Sequence, residues 1–222
     1  MKFYAINSSP RKNFNTAKIL DSFLEGIKSV DENIETERIN LYDLKYTGCR
    51  ECYLCKMKNG KFYGTCAFND DIKDILYNVS HSDGVVFGSP LFLGELNGQM
   101  HSFLERLIYP FKIFEKDKPP VMPPKKLKTA FIYTMNVKPE MMKEYNYPEH
   151  LKPTQDWLEF VFGYKPEILY VNNTYQYTDY SRYAADFWDA ADKQKWHDTQ
   201  FPKDLQTAYE MGKNMAEQVI NK

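Results

Sequence analysis

Phe3-Tyr4-Ala5-Ile6 is an apolar run with no polar break, bounded by turn-forming residues. Such a run reads as a buried strand of a parallel sheet, covered on both faces. It passes into a polar loop holding Asn7, Ser8, Ser9, Pro10, Arg11, Lys12 and Asn13, and Asn15 and Thr16 follow. Ala17, Leu20, Leu24 and Ile27 then recur at helical spacing, with Ile19 and Phe23 four apart beside them. The order is strand, polar loop, helix.

That loop has the parts of a phosphate site. A helix N-terminus presents unpaired N–H groups and the positive end of a dipole, which favour an anion. Ser8, Ser9, Asn13, Asn15 and Thr16 add short donors, and Arg11 adds a fixed charge. Local chemistry alone leaves an ordinary capped turn as the other reading. Neither G-x-G-x-x-G nor G-K-[ST] occurs, so a dinucleotide fingerprint and a Walker loop are both absent.

Further along, Ile34–Leu41 roughly alternates apolar and polar residues, as an edge strand does. Asn69-Asp70-Asp71 reads as the cap of a helix reaching about Val79. Asp83–Pro90 is the clearest strand and turn, and a helix follows over Asn97–Leu107. Thr129–Met135 reads as a fourth strand, Thr154 opens a short helix ending near Gly163, and Ile168–Asn172 is a fifth strand. Asp204–Ile220 closes as an amphipathic helix. Residues from about 136 to 201 otherwise read as an irregular extension, and about 46–69 as a cysteine-bearing insertion, within one domain spanning 1–222.

Strands alternating with helices imply an α/β fold with a doubly wound parallel sheet and helices on both faces. For five strands the common order is 2-1-3-4-5, and the ligand sits at the carboxyl ends of strands 1 and 3. The loops after those strands are Ser8–Thr16 and Ser89-Pro90-Leu91-Phe92-Leu93-Gly94. The second is apolar and aromatic, with main-chain polar groups beside flat surface, as a flavin ring requires. A tight core-packing connection is its alternative. Lys+Arg 29 against Asp+Glu 30 exerts no bulk pull toward nucleic acid. No apolar stretch reaches membrane-spanning length and no signal-peptide pattern opens the chain, so a cytoplasmic protein is expected.

S-S-P-R-K-N-F-N-T and G-S-P-L-F-L-G-E-L-N-G-Q-M-H-S-F-L-E-R resemble the NADPH-dependent FMN reductase branch of the flavodoxin-like flavoproteins. G-C-R-E-C-Y-L-C…G-T-C-A-F-N-D-D-I is similar to its cysteine-bearing members, which include the iron–sulfur flavoproteins. The resemblance covers the chain to about Arg106. It implies a flavodoxin-like three-layer sandwich. It also implies that Ser9, Arg11, Asn13, Asn15 and Thr16 hold the FMN phosphate, while Pro90, Leu91, Phe92, Leu93 and Gly94 line the ring. Thr134, Met135 and Asn136 stand where relatives carry a glycine-bearing loop, and His101 where they often carry Lys. The implied activity is NAD(P)H-dependent reduction of a quinone, nitro, flavin or protein acceptor, in a homodimer or homotetramer. No side chain need act as nucleophile or base.

Cys49, Cys52 and Cys55 form C-x2-C-x2-C, with Cys66 ten residues on. Three readings stand: thiolate ligation of a [4Fe–4S] cluster in an electron-transfer module, zinc, or free thiols packing a loop. Tyr175, Tyr177, Tyr180 and Tyr183 fit a substrate wall or an interface belt.

Overall fold

A computed structural model of the chain describes residues 1–221. Its central sheet is parallel, in the order β2 (Glu35–Asn40), β1 (Lys2–Asn7), β3 (Gly84–Phe92), β5 (Lys128–Thr134), β6 (Glu167–Val171). This is the expected 2-1-3-4-5 order with one addition. A two-residue strand, β4 (Glu95–Leu96), pairs antiparallel with the end of β3 and raises the strand number by one.

Alternate residues of each central strand enter different cores, so the sheet is covered on both faces. Tyr4, Ile6, Val85, Phe87, Phe131 and Tyr133 point into one core. Against them pack α2 (Lys73–His81), α3 (Gly98–Ile108) and α5 (Tyr147–Phe162), through Leu76, Met100, Phe103 and Leu158. Phe3, Ala5, Val86, Ala130 and Ile132 point into the other core. There α1 (Asn15–Lys28) and α7 (Phe201–Ile220) pack through Ile19, Leu20, Phe23, Ala208 and Met215. The three layers follow from this alternation.

Several local expectations are corrected. Residues 136–153, read as irregular, contain α4 (Pro139–Glu144) and the first half of α5. Helix α5 runs through Pro153, because Leu151 and Leu158 on either side are buried in one core. It ends at Gly163 with φ +78, a conformation that glycine adopts freely. The unassigned stretch before α7 contains α6 (Ala190–Thr199). Helix α2 begins after Ile72 with no side-chain cap, so Asn69, Asp70 and Asp71 do not cap it. Asp71 instead accepts from the Lys45 N–H at 2.7 Å. Among the described residues, no helix is long and apolar enough to cross a membrane.

Helices α1 and α7 meet backbone to backbone. A Cβ on Gly26 would lie 1.9 Å from the Tyr209 carbonyl oxygen, and one on Gly212 would lie 2.0 Å from that of Phe23. Neither obstacle is a side chain that can swing aside. Gly212→Ala is therefore expected to destabilise the fold by about 2 kcal/mol or more through overpacking. A shift of the urea midpoint at unchanged slope is the readout.

Candidate functional site

The loops after β1 and β3 converge because their strands pair. Phe3–Asn7 lie in parallel register with Gly84–Gly88, and the Ser8 N–H continues the ladder to the Gly88 carbonyl at 2.9 Å. Asn97 joins the two loops. Its amide donates to the Ser8 carbonyl at 2.5 Å, while its side-chain oxygen accepts from Met100 N–H and caps α3. Within the first loop, the Asn7 side-chain oxygen accepts from Ser9 N–H at 3.0 Å, and Ser9 Oγ accepts from Arg11 N–H at 3.2 Å. Helix α1 starts after Phe14 with no side-chain cap, leaving its first N–H groups facing the loop.

A cleft of about 370 Å³ opens where these elements meet. Ser9, Arg11, Asn15 and Thr16 line one side, Pro90–Leu93 a second, and Thr134–Asn136 at the end of β5 a third. Two of the expected contacts lie off the wall. Asn13 is exposed on the loop, and Gly94 sits behind the rim at φ +84. The β3–β4 turn needs positive φ at both central residues, which makes Leu93 (φ 55) a strained non-glycine residue. Its side chain is fully exposed at the lip.

A fourth wall is formed by Thr174, Tyr175 and Gln176 after β6; of these the sequence singles out Tyr175, as part of a substrate wall or an interface belt. It contributes main-chain carbonyls, which any residue type supplies. Asn15 donates to the Tyr175 carbonyl at 2.7 Å, and Arg11 Nη1 to that of Gln176 at 2.6 Å. The Asn136 amide donates to Gln176 Oε1 at 2.9 Å. Thr16 and Thr134 hydroxyls share a buried bond of 2.7 Å. Beyond the cleft, Tyr177 stacks on Tyr183 with centroids 4.3 Å apart.

The four cysteines gather elsewhere, between α3 and the segment ahead of α2, around one cavity of about 20 Å³. Glu51 and Tyr53 take left-handed backbone conformations that fold the segment around it. Cys55 is buried, and loss of solvent pushes its thiol pKa up while Lys56 opposes the shift. The donor set has the chemistry of an iron–sulfur site. It is not closed to that shape: the cavity has room for about one water, and among the described residues no three His, Cys, Asp or Glu groups come together to hold a metal.

Arg106 organises this segment. It is 2% exposed, and all five of its N–H donors have acceptors. Nε reaches Cys66 Sγ at 3.3 Å, and Nη1 and Nη2 reach Asp70 at 2.5 and 2.9 Å and the Thr47 and Phe68 carbonyls at 3.1 and 3.2 Å. Burial works against the charge, but the bonds to Asp70 and Cys66 outweigh it and raise the pKa.

A sequence model described as NADPH-dependent FMN reductase matches residues 1–131. The chain belongs to this family. It is 34% identical over 106 residues to an iron–sulfur flavoprotein of Methanocaldococcus jannaschii, covering 48% of this chain and 51% of that protein. The chain thus spans about half the length of the curated relatives it matches. Among solved structures, an NAD(P)H:quinone oxidoreductase from Methanothermobacter marburgensis superposes with TM-score 0.69 at 14% identity, over 97% of this chain and 98% of that one. An azoreductase from Bacillus anthracis superposes with TM-score 0.66 at 17% identity, over 96% and 99%. These two likenesses concern the fold.

Arg106→Met leaves Asp70 half-buried without its partner and unties the cysteine segment. The expected cost is about 3–5 kcal/mol, read by chemical denaturation. Hydrogen exchange is expected to rise first in residues 47–70.

Proposed function

We propose that the chain is an FMN-binding oxidoreductase that uses NAD(P)H, with the cleft at the ends of β1, β3 and β5 as the cofactor site. The observation that carries this reading is the convergence of an uncapped helix N-terminus, Arg11 and Asn15 with an apolar second loop on one cleft. Its volume lies in the usual range for small-molecule sites. The chemistry of the donor set supports this reading. Arg11 and Asn15 already bind carbonyl oxygens, acceptors of the kind a phosphate offers.

When bound, FMN supplies acceptance of hydride from a reduced nicotinamide and its delivery to a quinone, nitro, flavin or protein acceptor. The residues of the chain bind and orient. Arg11, Asn15, Ser9 and the first N–H groups of α1 hold the phosphate. Pro90, Leu91 and Phe92 give the ring an apolar face, and main-chain groups of residues 134–136 meet its polar edge. Leu93, strained and uncovered, stands at the rim where a nicotinamide or acceptor enters. The same reading takes the protein as a homo-oligomer. Exposed Phe92, Trp157 and Phe160 fit burial against a second copy.

A second reading, an electron-transfer flavoprotein with an iron–sulfur cluster, is favoured by the four thiols ringing one cavity. It requires residues 49–66 to repack, because the present arrangement is not closed on a metal.

The visible spectrum of anaerobically purified protein, with iron and FMN quantified on the same sample, separates these readings. A two-banded flavin spectrum without iron is the expected result, and iron at several atoms per chain favours the second reading. Absence of bound flavin after addition of FMN sinks both. Independently, Arg11→Ala is expected to weaken FMN binding about tenfold through loss of charge-assisted bonds, measured by quenching of flavin fluorescence. Unchanged affinity would count against this placement of the phosphate.

A further inference from the structure

Lys193 lies on α6, on a stretch whose role the sequence left unassigned, and is 2% exposed. A lysine buried this deeply must have its ammonium satisfied by the protein. Its Nζ donates to the Asn136 carbonyl and, at 3.4 Å, to the Thr174 carbonyl. The Trp188 ring covers it with its centroid 4.7 Å away. The adjacent carboxylate, Asp192, is engaged by Lys138 at 2.9 Å and by Asn173 at 3.2 Å.

Both carbonyl-bearing residues line the cleft. Asn136 belongs to the wall after β5 and Thr174 to the wall after β6. From there the contacts run on through Asn136 to Gln176 and from Gln176 to Arg11. One buried ammonium therefore ties two walls together, and those walls engage the donors of the first loop.

We propose that Lys193 is a positioning residue of the cofactor cleft: its ammonium locks the walls after β5 and β6 against the Arg11 loop, and its charge favours an anionic occupant. This rests on the reading of the cleft as the FMN site. The lysine touches neither flavin nor substrate and acts through the carbonyls it holds.

The charge of Lys193 can be switched within a usable range. Burial brings its pKa down to about 8, with Asp192 opposing the shift and Lys138 adding to it. These are the charged groups around it, one on its own helix and one ahead of α4. The segment after β6 presents the Thr174 carbonyl, and the turn ahead of α6 lays the neutral Trp188 ring over it. Loss of the proton removes the cation while the phosphate keeps its charge, so affinity for an anion must fall as pH rises through this value.

The test is the FMN dissociation constant of the full chain at constant ionic strength, from about pH 7 to about pH 9.5, where the phosphate is mainly dianionic. Wild-type affinity is expected to fall about tenfold as pH passes about 8. Lys193→Arg, whose charge does not titrate here, is expected to give a flat profile. Lys193→Met is expected to bind about tenfold more weakly at the low end, also with a flat profile. Melting curves identify any variant that fails to fold. A wild-type profile that is flat overturns the role of Lys193 whether or not the Met variant folds, and leaves the cofactor reading standing. A Met variant that folds and keeps wild-type affinity and pH dependence overturns it too. Wild-type protein that binds no FMN at any pH overturns both.

Discussion

The parallel pairing of β1 with β3 is the interaction on which the remaining geometry depends. It brings the carboxyl ends of two strands far apart in sequence to adjacent positions, and the Ser8–Gly88 bond extends that adjacency into the loops. Gly88 lets α1 lie close over the pair. A Cβ there would stand 2.6 Å from a Leu20 methyl group. Close seating of α1 points its uncapped N-terminus at the place where the second loop arrives. The cleft is therefore a product of sheet register and helix seating, and Asn97 holds the result by binding across the two loops.

A buried cation plays a similar part at two other places. Arg106 gathers carbonyls, a carboxylate and a thiol around the cysteine segment, and Lys193 gathers carbonyls around the far side of the cleft. In both cases loss of hydration is offset by donors directed at main-chain oxygen that helices and strands leave free. The two sites differ in their counter-charge. Arg106 has Asp70 in a two-point contact and stays charged, whereas the carboxylate beside Lys193 is engaged elsewhere. That difference makes one a fixed structural joint and the other a group that can titrate.

Much of the fold was legible because it rests on patterns that local sequence carries. The apolar runs at Phe3–Ile6, Val85–Phe87 and Ala130–Tyr133 are continuous since both faces of the sheet are covered, and helical spacing marked α1, α3 and α7. The helix expected to open at Thr154 begins earlier and includes Pro153, although a proline ordinarily ends a helix. Burial of residues on both sides of it carried α5 through. Asp70 and Asp71 misled because aspartate at a helix start is ordinarily a cap. A guanidinium from α3 and an N–H from Lys45 took their oxygens instead.

The sequence by itself determined the layered α/β fold, the strand order and the two loops that meet at the switch point, since periodicity and strand–helix alternation are local properties and topology rules supply the rest. Only the tertiary structure decided that a fourth segment, after β6, closes the cleft through its carbonyls, that Lys193 stands behind it, and that four thiols ring one cavity without closing on a metal. Main-chain carbonyls have no residue signature, and a lysine reads as solvent-exposed until its surroundings are known. The distances between thiols depend on backbone kinks at Glu51 and Tyr53, residues that nothing in the sequence marks as turn formers.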